Sequence, residues 1–351
     1  MKLIKTEDAV GTVLCHDITQ IIKGVTKDAV FRKGHVVTEE DIPVLLSVGK
    51  EWLYVWEKEE GMFHENDAAE ILCAMCRGDH MERSEAKEGK IELTAACSGL
   101  LKVNDQALKA VNGFGQMMIA SRHGNFPVRK GDKLAGTRII PLVIEEEKME
   151  AARKRAMDIT GGKPILEILP FARKKVGIVT TGNEVYTGRI KDTFTPVILE
   201  KFSEYDAEII GHVTLNDDDR RVTAAILELL EKGADVVVCT GGMSVDPDDK
   251  TPLAIRNTGS RIVSYGAPVL PGAMFLLAYY EKGRGSGRPA AVMGLPGCVM
   301  YAKRTIFDLV LPRVMADDPV TAEELAALGQ GGLCLNCPQC TFPNCGFGKG
   351  R

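Results

Sequence analysis

From residue 174 onward the chain alternates short uninterrupted apolar runs with stretches whose apolar residues recur every three or four positions. Buried parallel strands produce the first pattern and amphipathic helices the second. The apolar runs predict strands at 175–181, 207–214, 235–239 and 261–264. Runs at 273–280 and 290–293 flank the Gly283-Arg-Gly-Ser-Gly287 turn as a hairpin. Helical spacing is clearest over 219–232, where Val222, Ala225, Ile226, Leu229 and Leu230 follow the i, i+3, i+4, i+7, i+8 pattern. Further helices are predicted at 196–205, 251–258 and 299–311, the last stopping before Pro312 because proline disfavours helical backbone in the residue ahead of it. This alternation predicts an α/β fold, a mostly parallel sheet in three layers with helices on both faces.

The first 160 residues predict an α+β region, read as two small units. Residues 1–57 carry strand formers over 11–18 and 29–37, broken by glycine turns. Thr38-Glu-Glu-Asp41 resembles a capping box ahead of a helix that presents Ile42, Leu45 and Leu46 on one face and stops at Gly49. Over 61–143 the pattern predicts helices at 67–77 and 105–121, then strands at 126–135 and 138–144 around a turn. A charged helix over 145–158 is broken by Gly161-Gly-Lys-Pro164, which sets the boundary. The expected division is 1–160, 161–318 and a Cys-rich tail over 319–351.

Four of the predicted strands open at their carboxyl ends into polar loops: Thr181-Gly182-Asn183-Glu184, Asn216-Asp217-Asp218-Asp219, Thr240-Gly-Gly-Met-Ser244 onward, and Leu295-Pro296-Gly297-Cys298. Parallel strands would put all four on one edge of one sheet, where open α/β sheets bind ligands. Gly241 and Gly242 let backbone N–H groups approach an anion and Ser244 adds a hydroxyl. Asp246, Asp248 and Asp249 can hold a divalent metal or activate water. Phosphate and Mg²⁺ are the expectation. Taken alone, the stretch also reads as a glycine turn and an acidic helix start capped by Asp249.

Composition narrows the classes. At 45% apolar and 26% charged residues, 351 residues supply core for two or three domains. A net charge of −4 gives no general attraction for nucleic acid or an anionic membrane surface. No apolar run approaches a membrane span and the first residues lack a signal-peptide core, so a cytoplasmic protein is expected. Ten cysteines without an export signal suggest free thiols and a metal site rather than disulfides. His16 and His35 are assigned no role. Cys73 and Cys76, near His64 and His80, read as core thiols or as a metal pair.

The ordered set Thr181-Gly-Asn-Glu-Val, Gly241-Gly-Met-Ser-Val with Asp249 eight positions after the first glycine, Val269-Leu-Pro-Gly272 and Gly294-Leu-Pro-Gly297 is similar to the molybdopterin-binding domain. That domain is shared by molybdopterin adenylyltransferases, molybdopterin molybdotransferases and gephyrin-type fusions; the resemblance covers roughly 174–315. It implies catalytic roles for Glu184 and Asp249 in metal-assisted chemistry. It implies a pterin pocket of Thr181, Gly182, Asn183, Asp217, Gly241, Gly242, Ser244, Asp246, Pro271, Gly272, Pro296 and Gly297. The implied ligands are molybdopterin or its adenylylated form, molybdate and Mg²⁺, with a molybdoenzyme or another cofactor-biosynthesis protein as partner and a homo-oligomer as one possible assembly. Two functions follow: a divergent molybdotransferase, or a non-catalytic pterin-binding, sensor or delivery module. Favouring the second, the family's Pro-Gly-Lys-Pro is here Pro271-Gly-Ala-Met, Gly-Leu-Pro-Gly-Asn-Pro is Gly294-Leu-Pro-Gly-Cys-Val, and Asp-Ser-Asn is Asp192-Thr-Phe.

The tail packs Cys334, Cys337, Cys340 and Cys345 into twelve residues, too short a segment for a core. Thiolates closing on a metal are expected. Cys-x₂-Cys-x₂-Cys resembles ferredoxin-type spacing, with zinc as the alternative ion.

Overall fold

The structure, a computed structural model, describes residues 2–22, 26–55, 60–244, 246, 249–281 and 287–350. Asp248 of the acidic cluster and the predicted turn at 283–287, up to Ser286, lie outside the described residues. By contact the chain forms two compact units, neither continuous in sequence: residues 1–96, 103–122 and 131–167, and residues 97–102, 123–130 and 168–351.

In the first unit, Lys2–Lys5 pairs antiparallel with Trp52–Val55, and Ile18–Ile22 with Thr26–Phe31. Ala9, Leu14, Leu45 and Leu53 form their core with the helix Asp41–Ser47. The expected strand over 11–18 is reduced to isolated bridges at Val13 and Leu14. His35 Nε2 lies 2.6 Å from Asp41 Oδ2, a carboxylate partner the sequence reading did not find. A four-stranded sheet in the order Met81–Arg83, Lys90–Ala95, Lys133–Ile139, Met117–Ser121 follows, with helices Glu65–Cys76, Asp105–Asn112 and Glu146–Thr160. Cys73 and Cys76 are buried on the first helix as core thiols.

Two predictions fail here. The helix expected over 105–121 ends at Asn112, because Gly115 and Gln116 take left-handed backbone (φ +71° and +62°) and turn the chain into a strand. The strand boundaries over 126–144 shift as well, since Lys133–Ile139 runs unbroken through Gly136, with its turn at Gly131.

The second unit holds the α/β domain. Its strands are β1 (Lys174–Thr181), β2 (Ala207–Leu215), β3 (Val236–Thr240), β4 (Arg261–Tyr265), β5 (Leu276–Tyr280) and β6 (Ala290–Leu295). They lie in the order β2-β1-β3-β6-β5-β4, with β2, β1, β3 and β6 parallel and β5 antiparallel to both β6 and β4, so that β5 alone runs against the rest. The helices are α1 (Asn183–Tyr186), α2 (Phe194–Ser203), α3 (Asp219–Glu231), α4 (Thr251–Asn257), α5 (Ile306–Met315) and α6 (Ala322–Ala327). Val176, Ile178, Val236 and Val238 face Ile198, Phe202 and Phe307 on one side. Val179, Val237 and Cys239 face Val222, Ile226 and Ile255 on the other. Strands covered on both faces explain why they read as apolar runs rather than alternations.

The predicted helix over 299–311 is displaced. A single turn, Gly297–Met300, is followed by α5, which starts at a Thr305–Asp308 capping box and passes through Pro312. Every residue of α5 is buried, so packing outweighs the hydrogen bond that proline cannot make.

Candidate functional site

The strand register builds the site. Thr181 pairs with Leu215, Thr180 with Thr240 and Thr240 with Leu295. Four parallel strands therefore end level, and the four polar loops emerge side by side from one edge.

These loops touch one another. The Asn183 backbone N–H donates to Asp217 Oδ2 at 3.0 Å, joining first to second. Gly241 (φ +85°) passes so close to the first loop that a Cβ there would lie 2.2 Å from the Thr181 carbonyl oxygen. Beneath them, the Thr181 and Thr251 hydroxyls lie 3.2 Å apart. Met243 packs on Gly294 of β6, where a Cβ would meet its sulfur at 2.5 Å, and accepts the Tyr265 hydroxyl at 3.1 Å through its carbonyl. The Ser244 N–H donates to Asp249 Oδ2 at 2.9 Å, closing the third loop.

Asp217 reports the electrostatics. Burial pushes its carboxyl above the usual range, and the charges of Glu184 and Asp249 push the same way, against the Asn183 N–H and the Thr181 hydroxyl. Three carboxylates from three loops thus share one field, although among the described residues no group of three or more His, Cys, Asp or Glu is arranged as a metal site.

The remaining expected residues take more separate places. Gly182 (φ +136°) turns β1 into α1, and Glu184 is exposed on that turn. Gly242 has φ +56°, whereas Asp246 is exposed. Pro271 follows a cis peptide bond, and Gly272 (φ +129°) packs against Ile306 of α5. Pro296 is buried and Gly297 exposed. Cys298 is half-buried and burial raises its thiol pKa, which suits a neutral wall residue. In the tail, Cys334 and Cys345 pack partly against the core while Cys337 and Cys340 are exposed, and all four are free thiols.

One network escaped the sequence reading. Thr180 Oγ1 lies 3.1 Å from His212 Nε2, 3.2 Å from Thr195 Oγ1 and 3.3 Å from Thr240 Oγ1. Asp192 accepts the Thr195 hydroxyl at 2.5 Å and the N–H groups of Phe194 and Thr195. Burial opposes its charge, but these donors hold the carboxyl below the usual range. The turn Asp192-Thr-Phe-Thr195 was readable as a local cap. The part of His212 depends on β1–β2 pairing and left no sequence signal.

Acid and glycine loops level at the carboxyl edge of a mostly parallel sheet define an α/β ligand-binding domain. More specifically, residues 177–316 match the model of a probable molybdopterin binding domain, and residues 3–57 match that of a domain of unknown function. The chain is 36% identical over 78 residues to a CinA-like protein of Mycobacterium avium, covering 22% of this chain and 18% of that protein. It is 33% identical over 87 residues to a Pyrococcus abyssi protein, covering 25% and 34%. Among solved structures, the tungsten cofactor synthesizing protein MoaB from Pyrococcus furiosus matches at 26% identity, covering 36% of this chain and 84% of that one, with a TM-score of 0.31. The chain thus spans well under half of the length of these two curated relatives. Among the described residues no helix is long and apolar enough to cross a membrane.

Proposed function

We propose that this protein binds molybdopterin in molybdenum cofactor biosynthesis and acts as a divergent molybdotransferase on the adenylylated form. The carrying observation is the close contact of the Thr181–Glu184, Asp217 and Gly241–Asp249 loops, with three carboxylates in one field. Gly241, Gly242 and Ser244 take the phosphate through backbone and hydroxyl donors, and Pro271–Gly272 and Pro296–Gly297 wall the pterin. The donor set suits Mg²⁺, which keeps several waters and needs only one or two carboxylates beside a substrate phosphate. Glu184 and Asp249 would hold it, and its charge would offset that of the phosphates. Asp249, tied to the Ser244 N–H, fixes the loop around the anion.

The test supplies molybdate, Mg²⁺ and adenylylated molybdopterin to the full chain. AMP release that is lost in Glu184→Gln and Asp249→Asn supports the reading, whereas absence of pterin binding by calorimetry sinks it. A second reading, a binding or delivery module, is favoured by exposed Ala273 where the family carries lysine, and by Cys298 where it carries asparagine. Pterin binding with no AMP release would select that reading.

A further inference from the structure

The cysteine-rich tail is built into the second unit. Leu270 donates its N–H to Gly332 O at 2.8 Å, and Cys334 donates to Leu270 O at 2.8 Å, so the tail forms a short parallel bridge beside Leu270–Pro271. Lys303 Nζ donates to the carbonyls of Cys337 at 3.3 Å and Pro338 at 2.8 Å. Phe342 lies between Phe126 and Phe347, with the Arg304 guanidinium 5.0 Å from its ring centroid. Gly332 packs so tightly that a Cβ would stand 2.3 Å from the Pro268 carbonyl oxygen. This anchoring at both ends fixes where the cysteines stand.

All four line one cavity of about 450 Å³, together with Lys303 and Arg304. Core packing does not account for Cys337 and Cys340, which are exposed. Asn336 at φ +50° bends the chain between the first two. A single zinc ion holds its thiolates about 2.3 Å from the metal and so draws the four sulfurs close together. The Cys-x₂-Cys-x₂-Cys spacing of the tail resembles that of ferredoxin-type clusters, whose irons and sulfides fill a volume between the cysteines, and the shared cavity supplies such a volume. Four thiolates on a cluster also carry net negative charge, and Lys303 supplies positive charge at the wall, whereas Arg304 is paired with Asp308 and Glu204.

We infer that Cys334, Cys337, Cys340 and Cys345 bind an iron–sulfur cluster in the cavity they share, against the Pro271 side of the α/β domain. Each of the four thiols loses its proton to solvent and its thiolate bonds to iron; ferrous and ferric iron supplied with sulfide set the oxidation level of the cluster, so the protein itself is neither oxidised nor reduced. The inference does not rest on pterin binding, since none of its observations involves the carboxylate loops; the two sites meet at Pro271, a wall residue of the proposed pterin pocket.

The experiment is anaerobic reconstitution of the full chain with ferrous and ferric iron and sulfide, then metal and acid-labile sulfide analysis and visible absorption. Iron and sulfide in equal amounts, with a broad visible absorption, is the expected result. Cys337→Ala and Cys340→Ala should cut bound iron at least tenfold; these exposed positions leave the core intact, which circular dichroism checks. Zinc bound without sulfide, no metal at all, or iron retained by both variants would overturn the inference. Pterin binding by the reconstituted and untreated proteins, measured in parallel, tells failure of this site from failure of the pterin site.

Discussion

The backbone N–H of Ser244 reaches Asp249 Oδ2 at 2.9 Å and closes the loop that follows β3 into a ring. The acid and the Gly-Gly turn are therefore one structural piece, and changing the acid acts on any anion held by the turn.

Asp249→Asn keeps an oxygen for the Ser244 N–H but removes the charge that would face Mg²⁺. Mg²⁺-dependent pterin binding should weaken about 10–100-fold, the ~1.5–3 kcal/mol associated with hydrogen bonds to charged groups. Calorimetry with and without Mg²⁺ separates the effect from misfolding, because binding without Mg²⁺ should change little.

Asp217 gives a prediction in pH. Its carboxyl pKa is raised in the folded state, so the stability it contributes is full below its unfolded value and is lost as pH rises through the folded one. At neutral pH the charge opposes folding. Asp217→Asn should raise the melting temperature at pH 7.5 without divalent cation, change it little at pH 3.5, and reduce the stabilisation by Mg²⁺. An equal loss of stability at both values would rule out the like-charge account.

Gly241→Ala would place a Cβ 2.2 Å from the Thr181 carbonyl oxygen on backbone with φ +85°. The strain alone costs about 1–3 kcal/mol. Urea unfolding should show at least that loss, with pterin binding lost as well.

Asp308 has a side chain only 2% exposed and accepts Lys201 Nζ at 2.5 Å, Arg304 at 2.8 Å and the Thr305 N–H at 2.8 Å. Asp308→Ala leaves Lys201 with only the Lys303 carbonyl and Arg304 with only Glu204, and removes the cap of α5, costing about 3 kcal/mol by the measure of broken buried pairs. Asp308→Asn keeps the cap and should cost less in chemical denaturation.

The sequence by itself determined the alternation of strand and helix after residue 174. A strand buried on both faces must be apolar throughout, and a helix such as α3 must repeat its apolar residues every three or four positions, so both patterns are local. The loops that end β1, β2, β3 and β6 were legible for the same reason: glycine and acid directly after an apolar run is a local signal. Tertiary structure decided what depends on neighbours distant in sequence. Burial on every side carries α5 through Pro312, and left-handed backbone at Gly115 and Gln116 converts an expected helix into a strand paired with Lys133–Ile139. Strand register brings Thr180, Thr240 and His212 together. Hydrogen bonds to Leu270 and Lys303 decide that the tail cysteines face one cavity, because pairing between residues more than thirty positions apart leaves no periodic trace in the chain.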